Sequence, residues 1–201
     1  MNSHNHPNLK EALKRIQTCD DTRHNTLDLS WLKLYKLPAE LFELHWLKYL
    51  MLDCNSLKHL PPKISQLTNL EYLNLGTNVL ESISPEIKKL IYLNKLDLSC
   101  NRLQTVPLEI TELTRLKYLD CSNNRLESLP PGMDKLTELE CLHLNNNYLE
   151  YIPLEIKNLK NLRLSVLGNP LKFVPKDLAT CIMNYPQVCL IIRKNKNSYT
   201  P

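Results

Sequence analysis

The chain has 201 residues, a formal net charge of +4 and 43% hydrophobic residues, enough for one domain with a continuous core. Its only basic cluster is Arg193, Lys194 and Lys196, so the sequence lacks the basic stripe that is typical of nucleic-acid-binding proteins. The seven cysteines are odd in number and form no C-x-x-C pair, which signals neither a zinc site nor a disulfide framework. We therefore expect a reduced, cytoplasmic protein that binds no cofactor, metal or nucleic acid.

The first element is predicted to be a helix over residues 8–23, preceded by a disordered tail, residues 1–7. Asn8 is a candidate helix cap, because Glu11 follows it at the spacing of a capping box. The apolar residues recur at helical spacing: Leu9, Ala12, Leu13 and Ile16. This stripe predicts that the helix covers the open end of whatever follows it.

A period of 23 residues dominates the rest of the chain. The same phrase, L-x-x-L-x-[LC]-x-x-N-x-L-x-x-[LVI], opens at Leu47, Leu70, Leu93, Leu116 and Leu139. A degenerate copy precedes these five and another follows them, and the last of the five, the sixth copy, is one residue short. A period of this length predicts a solenoid of about seven coils, which we place over residues 24–182.

The spacing also predicts how each coil is built. Alternate side chains of a strand point to opposite faces, so the leucines turn inward and the residues between them turn outward. Successive strands should stack in parallel about 4.8 Å apart and form one concave sheet. One asparagine per coil follows the strand, at Asn55, Asn78, Asn101, Asn124, Asn147 and Asn169. We interpret this column as structural, with the amides satisfying backbone groups, rather than as a binding site.

The C-terminus is predicted to close the other end of the solenoid. Residues 176–184 read as a short helix, and the apolar run at 188–192 is expected to seal the last coil. Residues 183–201 would then form a C-terminal cap and tail. The sequence has no hydrophobic leader and no stretch long enough to span a bilayer, so we expect no membrane association.

The repeat phrase closely resembles the leucine-rich repeat superfamily. The 23-residue form with an L-P-x-x-[IL] return is similar to the class found in Ras-suppressor-type proteins, plant intracellular Ras-group proteins and many bacterial proteins. The resemblance implies an α/β fold: a right-handed, curved solenoid with a parallel concave sheet and helical caps at both ends. The stretch from Glu11 to Pro38 resembles the N-terminal segment of bacterial proteins of this kind, including the L-D-L-S strand at Leu27–Ser30.

No catalytic motif stands out in the sequence. It has no phosphate-binding glycine loop, no H-E-x-x-H and no nucleophile elbow, and the triplet Cys19-Asp20-Asp21 matches a ligase C-x-D motif by chance only. We therefore expect a protein without enzymatic activity.

The outward positions of the predicted sheet supply the candidate binding residues. They are Trp31, Tyr49, Met51, Asp53, Tyr72, Asn74, Lys95, Asp97, Tyr118, Asp120, His143 and Arg163. Tyrosine favours a contact surface, since it combines a large rigid ring with a polar tip. The alternative is that these tyrosines only cover the sheet and satisfy strand propensity.

Asp97 and Asp120 are predicted to be neighbours in the second outward column. Two adjacent carboxylates cost some stability, part of which Lys95 should offset. Such a pair indicates either a site for a basic side chain of a partner or two solvated charges that cost little.

The function that these features favour is a monomeric, non-catalytic protein-interaction module that binds another protein through its concave face. One setting is a bacterial effector delivered into a host cell. The alternative is a substrate-recognition subunit for a ubiquitin ligase or a scaffold in Ras-type GTPase signalling. Fold alone does not choose among these.

Overall fold

A computed structural model of the protein describes residues 7–174 and residue 178. A 16-residue helix, α1 (Pro7–Thr22), comes first. Seven three-residue strands follow: β1 (Thr26–Asp28), β2 (Tyr49–Met51), β3 (Tyr72–Asn74), β4 (Lys95–Asp97), β5 (Tyr118–Asp120), β6 (Cys141–His143) and β7 (Arg163–Ser165). They form one parallel sheet in chain order. The predicted solenoid with its parallel sheet is confirmed.

Each coil returns from one strand to the next through a short 3₁₀ helix. These helices span Ala39–Glu43, Pro62–Gln66, Pro85–Lys89, Leu108–Glu112, Met133–Lys135 and Leu154–Asn158. Proline precedes four of them directly, since its fixed φ suits the extended residue before a helical turn. The third begins with Pro85 itself, and Ser84 accepts a hydrogen bond from the Glu86 N–H at 3.3 Å.

The core is a continuous stack of aliphatic side chains that runs through all coils. The central leucine of every strand is buried, as at Leu50, Leu96 and Leu142, which are 0% exposed. Burying one such side chain contributes roughly 2 kcal/mol. Cys121 occupies a leucine position and is also fully buried, as expected for a small apolar residue.

The asparagine column joins each coil to the one before it. In a central coil, Asn101 Nδ2 donates to the carbonyls of Leu75, Leu98 and Ser99 at 3.0 to 3.1 Å. Its Oδ1 accepts the N–H of Leu80 at 2.9 Å. The same contacts recur at the other five asparagines, so the column is structural, as predicted.

Two consecutive N–H groups share one carbonyl where the chain enters most strands. Lys117 and Tyr118 both donate to the carbonyl of Asn94, at 2.8 and 3.1 Å. Four other coils repeat this bulge. At β7 only the N–H of Arg163 donates to the corresponding carbonyl, of Glu140, at 2.8 Å. The chain has one residue fewer before Arg163 than before the other strands, and the N–H of that residue would have been the second donor to the carbonyl.

Helix α1 packs on the first coil through Ala12, Ile16 and Cys19, all buried, and Arg15 donates to the Asp28 carbonyl at 3.0 Å. The helix spans Pro7–Thr22, where the prediction was residues 8–23. Pro7 is its first residue, so Asn8 lies inside the helix, and Glu11 forms an ion pair with Arg15 at 2.9 Å instead of closing a capping box.

Several predictions lie outside the described part of the chain. These are the tail before Pro7, the helix at 176–184 apart from Leu178, and the apolar run at 188–192. Leu178 itself is buried. The predicted boundaries at residues 182 and 183 stay predictions.

Candidate functional site

The concave face consists of the outward residues of the seven strands and of the residues that follow each strand. Strand pairing places the first column as Thr26, Tyr49, Tyr72, Lys95, Tyr118, Cys141 and Arg163. The second column is Asp28, Met51, Asn74, Asp97, Asp120, His143 and Ser165. Ten of the twelve predicted residues lie in these two columns, because a strict 23-residue period leaves only one register in which the leucines stay inside.

Lys95 lies between two tyrosine rings in the first column. Its Nζ is 5.0 Å from the ring centroid of Tyr72 and 4.8 Å from that of Tyr118. Within residues 7–174, Lys95 has no carboxylate within ion-pair distance, so any offset of the Asp97–Asp120 repulsion does not come from a direct ion pair. The two aromatic faces hold the ammonium group instead.

Tyr118 is the most connected aromatic residue of the face. Its hydroxyl donates to Asp120 Oδ2 at 3.2 Å, and its ring lies 5.3 Å from that of His143 at 52°. Burial, and then the charge of Asp120, raise the pKa of the Tyr118 phenol. The group is therefore neutral and remains a hydrogen-bond donor at physiological pH.

Tyr49 is held by a residue that the sequence analysis did not select. Its hydroxyl donates to Glu71 Oε2 at 3.3 Å, while Glu71 Oε1 lies 2.8 Å from Lys48 Nζ. The hydrogen bond from Lys48 lowers the pKa of Glu71. Lys48 and Glu71 stand 23 residues apart, immediately before their strands, and this opposite-charge spacing was a signal in the sequence.

Asp97 and Asp120 have a local structural role that explains their position. Asp97 Oδ1 accepts from the backbone N–H of Ser99 at 2.9 Å and from its hydroxyl at 2.7 Å. Asp120 Oδ1 accepts the N–H of Ser122 at 2.8 Å. Each side chain closes an Asx turn where the strand ends, so the turn favours Asp or Asn there. Neither carboxylate forms an ion pair within the described residues, and both are partly exposed.

Asn74 forms the same turn one coil earlier, with its Oδ1 accepting the N–H of Gly76 at 3.0 Å. Its Nδ2 donates to Asp53 Oδ1 at 2.9 Å, which links two of the predicted residues across neighbouring coils. Met51 stands beside Asn74 in the second column and is half-buried. At the far end, an Arg163 guanidinium nitrogen lies 3.0 Å from Cys141 Sγ.

Trp31 lies at the N-terminal end of the face in a strained backbone conformation. The residues after each strand share a left-handed φ of 53° to 62°: Trp31, Cys54, Thr77, Cys100, Asn123 and Asn146. Asparagine tolerates this region, but a bulky residue there is an outlier that costs about 1–2 kcal/mol. Trp31 is nevertheless 75% exposed, so no packing inside the described structure accounts for the large ring.

The twelve predicted residues thus share one surface without converging on a pocket. Trp31 belongs to the first coil and Arg163 to the seventh, about 29 Å apart at ~4.8 Å per strand. Within the described ranges, no group of His, Cys, Asp and Glu side chains is arranged to hold a metal ion. No helix in the same ranges is long and apolar enough to cross a membrane.

A stack of identical coils around a leucine core, with a ladder of asparagines, defines a leucine-rich repeat domain. A leucine-rich repeat family model matches residues 45–87 and 91–149, about half of the chain. The chain belongs to the leucine-rich repeat family. Domains of this family generally act as binding scaffolds rather than enzymes.

Solved structures extend the likeness to most of the chain. A leucine-rich repeat protein of Leptospira interrogans matches with 28% identity and a TM-score of 0.67, over 90% of this chain and 61% of that one. The leucine-rich repeat domain of the type III effector XopL matches with 24% identity and a TM-score of 0.72, over 89% of this chain and 60% of that one. This chain thus spans about three fifths of each. No curated protein matches the sequence at a significant level.

Proposed function

We propose that this chain is a non-catalytic module that binds a partner protein on its concave face. One observation carries the proposal: Trp31 is 75% exposed on that face, in a left-handed conformation that disfavours it. Strain of this kind persists where a residue has a use, and tryptophan is enriched among residues that dominate binding energy. The tyrosines of the first column add contact area beside it.

Rigidity supports the same proposal. Turn-closing side chains such as Asp97 and Asn74 fix the outer ends of the strands, and the lysine–tyrosine stack fixes the middle of the first column. A surface that is ordered before binding loses little conformational entropy when the partner arrives. Affinity then comes from many fixed side chains rather than from one deep pocket.

The charges of the face favour a partner with basic side chains. Four aspartates lie on it, Asp28, Asp53, Asp97 and Asp120, against the two cations Lys95 and Arg163. Lys95 is already held between aromatic rings, so the carboxylates of the centre are open to an arginine or lysine from outside. Complementary charge of this kind raises association rates and selects the register of binding.

Affinity purification with a charge-neutral variant tests the proposal. Tyr72→Ala, Asp97→Asn and Asp120→Asn together remove one ring and two charges, while asparagine retains the acceptor that closes each Asx turn. We expect the partner recovered by the wild type to be lost, with the melting temperature changed by only a few degrees.

The matched control removes the same groups elsewhere, with Tyr148→Ala, Glu127→Gln and Glu138→Gln, all exposed positions outside the concave face. It should retain the partner. If the concave-face variant recovers the partner at wild-type level, the face is not the binding site.

We propose further that the partner is a host protein and that the chain acts as a bacterial effector after delivery into a host cell. The N-terminal segment from Glu11 to Pro38 supports a bacterial origin, and so does the 28% identity to a protein of Leptospira interrogans. A fusion of the full chain to a translocation reporter tests delivery directly. Recovery of a cullin adaptor or a Ras-type GTPase in the purification would instead favour the ligase-subunit or scaffold alternative.

A further inference from the structure

A groove lies between helix α1 and the first coil, away from the concave face. Its volume is about 470 Å³, and no residue of strands β1 to β7 lines it. Leu9 and Leu13 of α1 form one wall and Leu37 and Phe42 of the first coil form part of the other. The helix buries Ala12, but it leaves Leu9 and Leu13 only half-buried. The apolar stripe of the capping helix is therefore wider than the surface that it covers.

Positive charge surrounds this apolar groove. Lys33, Lys36 and Lys63 line it against a single acidic residue, Glu40. Within residues 7–174 none of the three lysines has a carboxylate at ion-pair distance. Lysines elsewhere do pair between coils: Lys48 with a glutamate at 2.8 Å and Lys58 with another at 3.2 Å. The groove thus combines an open apolar wall with three uncompensated cations.

We propose that the groove binds an acidic amphipathic segment of a partner protein. Its apolar side chains would fill the space against Leu9 and Leu13, and its carboxylates would meet Lys33, Lys36 and Lys63. A volume of this size accommodates a few large side chains, as in other grooves that take an amphipathic segment. Charge complementarity sets the sign of the segment.

The chain's own ends do not have this chemistry. Residues 1–6 contain no aspartate or glutamate, and neither do residues 179–201, which carry Arg193, Lys194 and Lys196. Either segment would bring no carboxylate to the lysines, and the second would add like charge. Composition therefore favours a partner protein over either of these two segments.

A peptide selection on the full chain tests the inference. Random dodecapeptides displayed on phage are selected on the immobilised protein carrying the concave-face substitutions of the preceding section, so that peptides that need Tyr72, Asp97 or Asp120 are not recovered. We expect the enriched peptides to carry carboxylates beside bulky apolar residues. The most enriched peptide is then synthesised with a fluorophore and titrated with wild-type protein and variants by anisotropy.

The variant Lys36→Glu/Lys63→Glu should weaken the peptide by about tenfold or more, because each reversal replaces an attraction with a repulsion. The matched variant Lys89→Glu/Lys160→Glu changes the same charge at exposed lysines of later coils and should bind like the wild type. All three proteins should have the same melting temperature within a few degrees.

Three results would overturn the inference. The first is enrichment of peptides without carboxylates, which would make the groove a site for neutral apolar ligands. The second is equal binding to both charge variants. The third is a dimer in sedimentation that dissociates in Lys36→Glu/Lys63→Glu, which would assign the groove to a second copy of the chain. None of these outcomes bears on the concave face, so that proposal stands or falls separately.

Discussion

Replacing Asn101 by alanine should be among the most destabilising single changes in the chain. Asn101 is 8% exposed, and its amide bonds three carbonyls while its oxygen accepts the N–H of Leu80. Alanine leaves the Leu80 N–H without its partner in the interior. The carbonyls of Leu75 and Leu98 each lose one of two donors, because Asn78 Nδ2 also donates to the first and Asn124 Nδ2 to the second. The unpaired N–H costs about 1–3 kcal/mol and each of the three lost amide hydrogen bonds about 0.5–1.5 kcal/mol, so with partial relaxation we expect a loss of about 3–5 kcal/mol in the free energy of unfolding. That is a large share of the total for a domain, roughly 5–15 kcal/mol.

Urea unfolding followed by far-ultraviolet circular dichroism is the appropriate assay. Both tryptophans, Trp31 and Trp46, lie near the N-terminal end, so fluorescence would report on that end alone. The control is Asn69→Ala, since Asn69 is exposed and makes one bond, from Nδ2 to the His45 carbonyl at 2.7 Å. Solvent replaces that bond, so its loss should cost less than about 1 kcal/mol.

Equal, small losses for Asn101→Ala and Asn69→Ala would refute the reasoning. In that case the second donors of the carbonyls would suffice and the Leu80 N–H would find another acceptor, so the amide of Asn101 would not be what joins its coil to the one before. A change in the slope of the denaturant dependence, rather than in the midpoint, would mean that the coils no longer unfold as one unit.

Two further predictions concern single residues. Trp31→Gly should raise the free energy of unfolding by about 1 kcal/mol, because glycine adopts the left-handed φ without strain, and it should also weaken partner binding. Urea titration measures the first effect and affinity purification the second; a loss of stability would show that the ring packs against the protein after all. In variants that retain a single cysteine, the exposed Cys100 should react with a thiol reagent in the native protein, whereas Cys121, whose pKa is raised by burial, should react only after unfolding. Modification of Cys121 in the native protein at a rate similar to that of Cys100 would contradict its position in the core.

Sequence was sufficient for the parts of the molecule that depend on period alone. The positions of Leu50 and Leu96 in the core follow from one spacing, as does the alignment of Tyr72, Lys95 and Tyr118 in one column. A parallel stack has no freedom to shift one strand by a residue without turning leucines outward. The structural role of Asn101 followed in the same way, because the repeat places an amide where backbone groups need one.

Side-chain direction and contacts between different elements were not predictable in this way. Lys95 had carboxylates and rings as candidate partners in adjoining positions of the sheet, and the period alone does not choose between them; in the structure its ammonium group lies between the rings. The sequence analysis explained Asp97 by its like-charged neighbour Asp120, whereas the structure shows that its carboxylate closes a local Asx turn. How much of α1 the first coil covers depends on the angle between the helix and the coil. The 23-residue period says nothing about this angle, so it could not predict that Leu9 and Leu13 are only half-buried.

The shared carbonyl at the start of each strand has a consequence for how such chains change length. Loss of one residue before β7 removes a redundant donor, and the seventh strand still aligns with the sixth through Leu164. The asparagine contact also survives, since Asn169 Oδ1 accepts the Leu149 N–H at 3.0 Å. A gene variant that drops one codon at this point of another coil is therefore expected to keep the downstream coils in phase. Between a strand and its asparagine, the same loss would displace the amide from the backbone groups that it bonds and would separate that coil from the one before it.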